Sequence, residues 1–78
     1  MKRAEKTILK SIDTCYKYIA RDSNRDLNVY EVKPTKSISK GYWDGERYCP
    51  INVFSQYFEW IKWEDKEPYR ISDLIEGD

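Results

Sequence analysis

The chain has 78 residues, of which 36% are charged and 15% aromatic, and its formal net charge is zero. A chain of this size forms a single domain with a small core, whose stability often depends on a staple or a partner. Balanced charge provides no overall field to steer nucleic acid or an anionic membrane. The charge is uneven, however: residues 1–26 carry seven Lys or Arg against four Asp or Glu, and residues 53–78 carry three against seven. We therefore expect one folded domain, residues 1–78, with a basic and an acidic end.

The sequence also bears on the compartment and on bound groups. Lys2 and Arg3 are followed by no apolar stretch typical of a signal peptide, and no later run is long enough to span a membrane, so a cytoplasmic protein is expected. In a reducing compartment Cys15 and Cys49 are more often free, buried thiols than a disulfide. Without histidine, a zinc site would need carboxylates to complete it, so neither a metal nor another cofactor is expected.

The first predicted element is a helix from Lys2 to about Arg21. Its apolar residues recur at spacings of one, three and four, which match one face of a helix and no strand pattern. They are Ala4, Ile8, Leu9, Ile12, Cys15, Tyr16, Ile19 and Ala20. Asp22, Ser23 and Asn24 then favour the end of a helix, because short polar side chains bond to their own backbone.

A strand and a hairpin are predicted next. Residues 27–33 alternate, favour β-structure and stop at Pro34, so they predict a strand. Residues 34–39 are a polar connection. Asp44-Gly45 then separates two β-rich runs, and this dipeptide is typical of a type I′ hairpin turn. The facing pairs of that hairpin are Trp43 with Glu46, Tyr42 with Arg47, and Gly41 with Tyr48.

The segment 52–63 concentrates the hydrophobic mass of the chain. As a helix it places one apolar face at Val53, Phe54, Tyr57, Phe58 and Ile61, with Asn52 at the N-cap position. As a strand neither alternating set is clean, although the residue types favour strands. The spacing favours the helix, and the strand remains open as an alternative.

The end of the chain predicts two short elements. Tyr69-Arg70-Ile71 follows Pro68 and is expected to be extended. Residues 72–77 are predicted to form one helical turn, with Ser72 as the N-cap and Gly77 as the stop. The whole pattern predicts an α+β domain in the order αβββα: a helix packed on a three-stranded, or alternatively four-stranded, antiparallel sheet, followed by an aromatic-rich helix and the terminal turn.

Catalytic chemistry has little support. Without histidine, Ser-His-Asp and Cys-His nucleophile systems are excluded. Glu64, Asp65 and Glu67 could form a carboxylate pair, but they lie in a charged turn, whereas general acid–base catalysis needs a carboxylate in a water-poor cleft. The sequence thus predicts a protein that is not an enzyme.

Nucleic-acid binding is the first alternative function. Cations and aromatic rings alternate along the predicted sheet, and such residues bind phosphates and stack on bases. The candidates are Lys33, Lys36, Lys40, Tyr42, Trp43 and Arg47. The predicted element order is similar to that of double-stranded-RNA-binding domains, but residues 52–56 lack the basic cluster that this family carries at the start of its second helix. Nearby acids also dilute the positive charge, so the lysines are more simply explained as solubilising the sheet.

Protein binding is the preferred interpretation. Twelve aromatic residues are more than one small core hides, and exposed Trp and Tyr among charges are typical of interfaces. The candidate site is the acidic turn and its flanking rings, which would suit a basic groove on a partner. Its residues are Trp60, Trp63, Glu64, Asp65, Glu67 and Tyr69.

The small size, Met1 and the lack of catalytic chemistry are typical of phage and mobile-element proteins. Such proteins inhibit or redirect a host or bacterial protein, for instance a defence nuclease, as anti-CRISPR and anti-restriction proteins do. A host protein is therefore the expected partner. A second alternative is a homodimeric structural or regulatory protein, in which the surplus aromatic residues close the dimer.

Overall fold

A computed structural model describes residues 1–77. Its elements in chain order are α1 (Arg3–Ser11), β1 (Tyr18–Arg21), β2 (Leu27–Tyr30), β3 (Thr35–Ser37), β4 (Tyr42–Asp44), β5 (Tyr48–Pro50), a 3₁₀ helix (Asn52–Phe54), β6 (Tyr69–Arg70) and α2 (Ile71–Glu76). The fold is a small α+β fold with antiparallel sheets. The finer prediction is wrong, because the described strands form two sheets and do not follow the order αβββα.

The main sheet has the strand order β5-β2-β1-β6, with every pair antiparallel, and β3 pairs with β4 in a second sheet. The register aligns Ile19 with Val29 and with Tyr69, and Val29 with Cys49. Because side chains alternate across a strand, these four residues share one face of the main sheet. The opposite face carries the next row, which contains Tyr18, Tyr30, Tyr48 and Arg70.

The predicted first helix is wrong beyond Ser11. The Ser11 hydroxyl donates to the carbonyl of Ile8, and Ile12 is extended with ψ 139°. Asp13 then accepts a hydrogen bond from the backbone N–H of Cys15, a local bond that competes with helix formation. Residues 18–21 instead form a central strand of the main sheet, where pairing with β2 and β6 overrides the helical spacing.

The predicted strand at 27–33 is confirmed for Leu27–Tyr30, but the Asp44-Gly45 hairpin is wrong. Strand β4 pairs with β3, inside the predicted polar connection, and β5 pairs with β2. The chain turns instead at Gly41, whose φ is 79° and whose N–H donates to the carbonyl of Ser37. At Gly45 a Cβ would lie 3.0 Å from Pro34 and from the ring of Tyr30, so the backbone there packs tightly against both residues.

Segment 52–63 is neither of the predicted structures. It forms the 3₁₀ helix Asn52–Phe54 followed by turns, and Asn52 is not its N-cap. The Asn52 Oδ1 atom instead accepts the backbone N–H of Leu27 at 2.8 Å, which fixes this segment to the start of β2.

The predicted extended segment and terminal helical turn are both confirmed, although the helix begins earlier than predicted. Strand β6 covers Tyr69–Arg70, and α2 ends at Gly77 as predicted, but Arg70 rather than Ser72 occupies the N-cap position. Cys15 and Cys49 are free, yet Cys15 is exposed and Cys49 half-buried, so the expectation of buried thiols is wrong.

Two hydrophobic clusters fill the two sides of the main sheet. The larger lies between the sheet, the two helices and the aromatic segment, and contains Leu9, Ile19, Leu27, Val29, Phe58, Ile61 and Ile71. The smaller lies under the β3–β4 sheet and contains Ala20, Tyr30 and Trp43. Within residues 1–77, none of the helices has the length and apolar character needed to cross a bilayer.

Candidate protein-binding surfaces

Arg21 determines the path of the aromatic segment 52–63. Its side chain is 6% exposed and donates to five backbone carbonyls at 2.8–3.1 Å. The acceptors belong to Arg25, Ser55, Tyr57, Phe58 and Ile61. The guanidinium group thereby satisfies all of its N–H donors with carbonyls. Four of these carbonyls belong to segment 52–63, so the hydrogen bonds to Arg21 hold this segment in its non-helical path.

Glu5 holds the same segment from the side of α1. It is 2% exposed, and its carboxylate accepts the backbone N–H of Phe58 at 2.7 Å and Nε1–H of Trp60 at 3.2 Å. Burial acts to raise the pKa of Glu5, but hydrogen bonds from Lys2, Phe58 and Trp60 outweigh it and leave the pKa below its usual value. The carboxylate is therefore ionised at neutral pH.

The backbone N–H and carbonyl of Phe58 form hydrogen bonds with two side chains of opposite charge. Its N–H bonds to Glu5, its carbonyl bonds to Arg21, and its φ is 59°, in the left-handed region that bulky residues rarely adopt. Such a backbone costs on the order of 1–3 kcal/mol and persists only where the surroundings enforce it. Two buried charges and the ring of Phe58, which is 0% exposed, provide that enforcement.

Trp60 and Tyr69, predicted as binding residues, are integrated into this packing. The Trp60 ring stands edge-on to Phe58 at 6.2 Å and to Tyr69 at 5.2 Å between centroids. The Tyr69 hydroxyl donates to Asp65 Oδ2 at 3.1 Å. Both rings are half-buried. Their edges reach the surface, but most of their contact area serves the fold.

Lys36, Trp43 and Trp63 form a second internal cluster. Lys36 Nζ lies 4.5 Å from the Trp63 ring and 5.4 Å from the Trp43 ring, and it donates to the carbonyl of Asp65 at 2.9 Å. The two tryptophan rings meet edge-on at 6.3 Å. The structure thus brings together residues that the sequence assigned to two different sites, because β3 packs directly against the acidic turn.

The acidic turn consequently presents less negative charge than its sequence suggests. Lys33 forms an ion pair with Glu67 at 3.2 Å, and Lys36 reaches into the turn at Asp65. The carboxylate of Asp65 also accepts the backbone N–H of Lys62 at 2.9 Å. Glu64 remains exposed. These contacts weaken the complementarity of the turn to a basic groove.

The nucleic-acid candidates differ in their surroundings. Trp43 is 5% exposed, donates from Nε1 to the carbonyl of Arg21 and donates its backbone N–H to the buried Asp22, so its ring is not free to stack on a base. Lys40 lies over the ring of Tyr42 at 5.9 Å, near the turn of the β3–β4 hairpin. Arg47 is exposed on the connection before β5.

The outer edge of β5 is exposed, but it is poorly suited to pairing with another strand. Glu31 N–H bonds to the carbonyl of Arg47, and Ile51 N–H bonds to the carbonyl of Leu27. Because successive residues of a strand direct their backbone groups to opposite sides, those of Tyr48 and Pro50 point away from β2. Pro50 has no N–H to donate, which makes this edge a poor template for a second strand. Tyr48, 58% exposed and packed 6.2 Å from Tyr30, is its main apolar feature.

An open groove lies between α1 and α2, with a volume of about 570 Å³. Its apolar surface comes from both helices, from the connection at residues 12–17 and from β1. The contributing side chains are Leu9, Ile12, Tyr16, Tyr18, Ile71 and Ile75. Ile12, Tyr16, Tyr18 and Ile75 are only half-buried. The groove is larger than the depression of about 300 Å³ that Met1, Trp60, Asp73, Leu74 and Gly77 line.

Charged side chains line the same groove. Lys10, Lys17 and Arg70 are cationic, and Asp13 is the single acidic residue in the lining. Hydrogen bonds, chiefly from the Cys15 backbone, hold the pKa of Asp13 below its usual value. The sequence prediction missed this groove because it treated Ile12 and Tyr16 as part of one continuous helix, whereas the break after Ser11 opens the space between them and α2.

Comparison with protein-family models, with curated proteins and with solved structures found no match.

Proposed function

We propose that this chain is a non-enzymatic protein-binding module and that the groove between α1 and α2 is its binding site. The observation that carries the proposal is the groove itself: half-buried aliphatic and tyrosine side chains bordered by three cations. An apolar centre with a charged rim is the general arrangement of protein interfaces. The acidic turn has the same residue types, but its rings and the carboxylate of Glu67 already have partners within the chain.

The form of the groove supports a protein ligand. Its lining comes from α1, α2, the connection at residues 12–17 and the adjoining ends of β1 and β6, and it is open to the surface. Binding of an apolar side-chain stripe between helices is a recurrent mode of peptide recognition. The groove contains no histidine and its thiol-free lining offers Asp13 as the only carboxylate, which hydrogen bonds keep ionised.

The proposal extends to the class of partner. A binding groove on a scaffold held by internal hydrogen bonds suits a protein that inhibits or redirects another protein. A host or bacterial protein, such as a defence nuclease targeted by a phage or mobile element, is the partner class that we propose from these general properties.

Capture from bacterial lysate with matched variants tests the groove. We expect wild-type protein to retain a partner that Ile75→Ser loses and that Val53→Ser keeps, because Val53 is 78% exposed but lies outside the groove. Glu64→Lys tests the acidic turn. A partner lost with Glu64→Lys and kept with Ile75→Ser would move the site to the turn and overturn the groove assignment.

Two further measurements separate the alternative functions. A labelled oligonucleotide that binds at physiological salt with a steep salt dependence, and no captured protein, would favour nucleic-acid binding instead. A concentration series in analytical ultracentrifugation tests the homodimer. If a dimer forms and Ile75→Ser dissociates it, the groove binds a second copy rather than another protein.

A further inference from the structure

Building on the proposed function, we infer that the occupant of the groove is an acidic amphipathic helix of the partner, with apolar side chains flanked by Asp or Glu. The inference rests on where the cations of the groove lie. Three cationic side chains and one acidic side chain line it, although the net charge of the chain is zero. The groove is therefore a local positive region around an apolar floor.

The cations of the groove belong to three parts of its lining. Lys10 is in the last turn of α1. Lys17 precedes β1 and Arg70 ends β6, and their backbones are adjacent, because the Ile71 N–H donates to the Lys17 carbonyl at 2.9 Å and Tyr18 pairs with Arg70. A ligand that pairs with more than one of these cations must carry more than one negative charge beside its apolar surface.

The anchoring of these side chains leaves donors for a ligand. Lys17 Nζ donates to the carbonyl of Thr14 at 2.7 Å, and an ammonium group has two further N–H donors. Arg70 Nη2 donates to the Tyr18 hydroxyl at 3.3 Å, which orients the guanidinium group and uses one of its five N–H bonds. Both side chains are exposed and held close to the groove.

An amphipathic helix fits these constraints better than a single anionic group. One carboxylate or phosphate head group can pair with one of these cationic positions, and it would leave other cations of the lining without a partner. A helix presents apolar residues at i, i+3, i+4 and i+7, and its flanking positions can bear acids on both sides of that stripe. The occupant that matches the apolar floor and the cations together is therefore a peptide helix rather than a fatty acid.

Two synthetic peptides test the inference with the full chain. Each is about 16 residues long, so that a helix can form, with the same leucine stripe and either Glu or Lys at the flanking positions. We expect the Glu peptide to bind roughly tenfold more tightly at low salt, as a few exposed ion pairs allow, and to lose that advantage as salt is added. In ¹⁵N-labelled protein the shifted amides should include Leu9, Ile12, Ile71 and Ile75.

Charge reversal provides the control that does not alter the apolar floor. The double variant Lys10→Glu with Lys17→Glu should invert the preference and bind the Lys peptide more tightly. Lys40→Glu, near the hairpin turn beside Ser23 and so at the other end of β1, should leave the preference unchanged. Equal affinities of the two peptides for wild-type protein, or shifts centred on residues 60–67, would overturn the inference.

Dodecanoate serves as the competing ligand. If it displaces the Glu peptide and saturates the groove at lower concentration, the occupant is an anionic amphiphile and the inference is wrong. Failure of the inference is distinguishable from failure of the proposed function. If the captured partner still depends on Ile75 while the Lys peptide binds as well as the Glu peptide, the groove binds protein but the acidic helix is wrong. If capture is also independent of Ile75, both are wrong.

Discussion

The aromatic segment 52–63 and the groove between α1 and α2 are both rich in apolar side chains, but their charges are used in opposite ways. In the aromatic segment the charges are inside: Arg21 and Glu5 are 6% and 2% exposed and bond to the backbone. In the groove the charges are exposed, and the aliphatic side chains beside them include the half-buried Ile12 and Ile75.

This difference separates scaffold from site. A buried charge must have its hydrogen bonds satisfied internally, so it fixes one conformation and leaves nothing for a ligand. A rim charge remains hydrated and free to exchange water for a partner. The aromatic segment is thus held by buried charges, whereas the apolar lining of the groove consists largely of isoleucines and tyrosines.

Arg21→Met is expected to have the largest effect on the scaffold. It removes five donors from buried or partly buried carbonyls, and we expect a loss of roughly 3–5 kcal/mol in the free energy of unfolding. Urea denaturation measures it. Arg21→Lys should also destabilise, because an ammonium group cannot match a planar set of five donors. The control Arg3→Met changes an exposed arginine in α1 and should shift stability by less than about 0.5 kcal/mol. Equal effects of the two Met variants would refute the bracing role of Arg21.

Glu5→Gln is expected to have the second largest effect, a loss of roughly 1–3 kcal/mol in the free energy of unfolding at neutral pH. In the variant, the N–H of Phe58 or of the Trp60 ring would face the amide N–H₂ group instead of a carboxylate oxygen. The effect depends on pH. Since folding lowers the pKa of Glu5 below 4.5, its contribution is complete above pH 4.5 and is lost as the pH falls through the folded-state pKa.

Denaturation curves of wild type and Glu5→Gln should therefore converge as the solution is acidified. Glu46→Gln, at an exposed position, provides the matched control. A stability difference that persists unchanged at acidic pH would show that Glu5 acts through packing rather than through its charge.

The sequence predicts the local elements of this fold better than their pairing. The strand at Leu27–Tyr30, the extended Tyr69–Arg70 and the terminal helix ending at Gly77 are all recovered, because each depends on nearby propensities and stops. The failures involve long-range contacts. Residues 18–21 have helical spacing but become a strand between β2 and β6, which no local pattern indicates.

The same limit applies to the candidate site. Arg21 lies 34 to 40 residues from most of the carbonyls that it binds, so its effect on segment 52–63 could not be predicted from spacing. The ion pair of Lys33 with Glu67 and the contact of Lys36 with Asp65 likewise join distant residues. Composition indicates more aromatic side chains than one small core can bury, but which apolar residues remain exposed depends on tertiary packing.

Trp63→Ala is the next largest expected effect and tests the boundary between scaffold and site. Loss of the contacts with Trp43 and Lys36 should reduce stability by roughly 1–2 kcal/mol, and Trp63→Phe should recover part of it by retaining a ring. Urea denaturation of the three proteins provides the measurement. If Trp63→Ala keeps full stability but no longer captures the partner, the acidic turn is the site after all and the comparison between the two regions fails.

Lys17→Glu should have the smallest effect on folding and so gives the sharpest contrast with Arg21. Its ammonium group is exposed and bonds to the carbonyl of Thr14, so reversal of its charge should change the free energy of unfolding by less than about 0.5 kcal/mol. Affinity for the Glu-flanked peptide should nevertheless fall several-fold, because one of the three cations that line the groove becomes an anion. This one variant should therefore keep its stability and lose affinity for the Glu-flanked peptide. If it loses both, Lys17 belongs to the scaffold with Arg21 and Glu5.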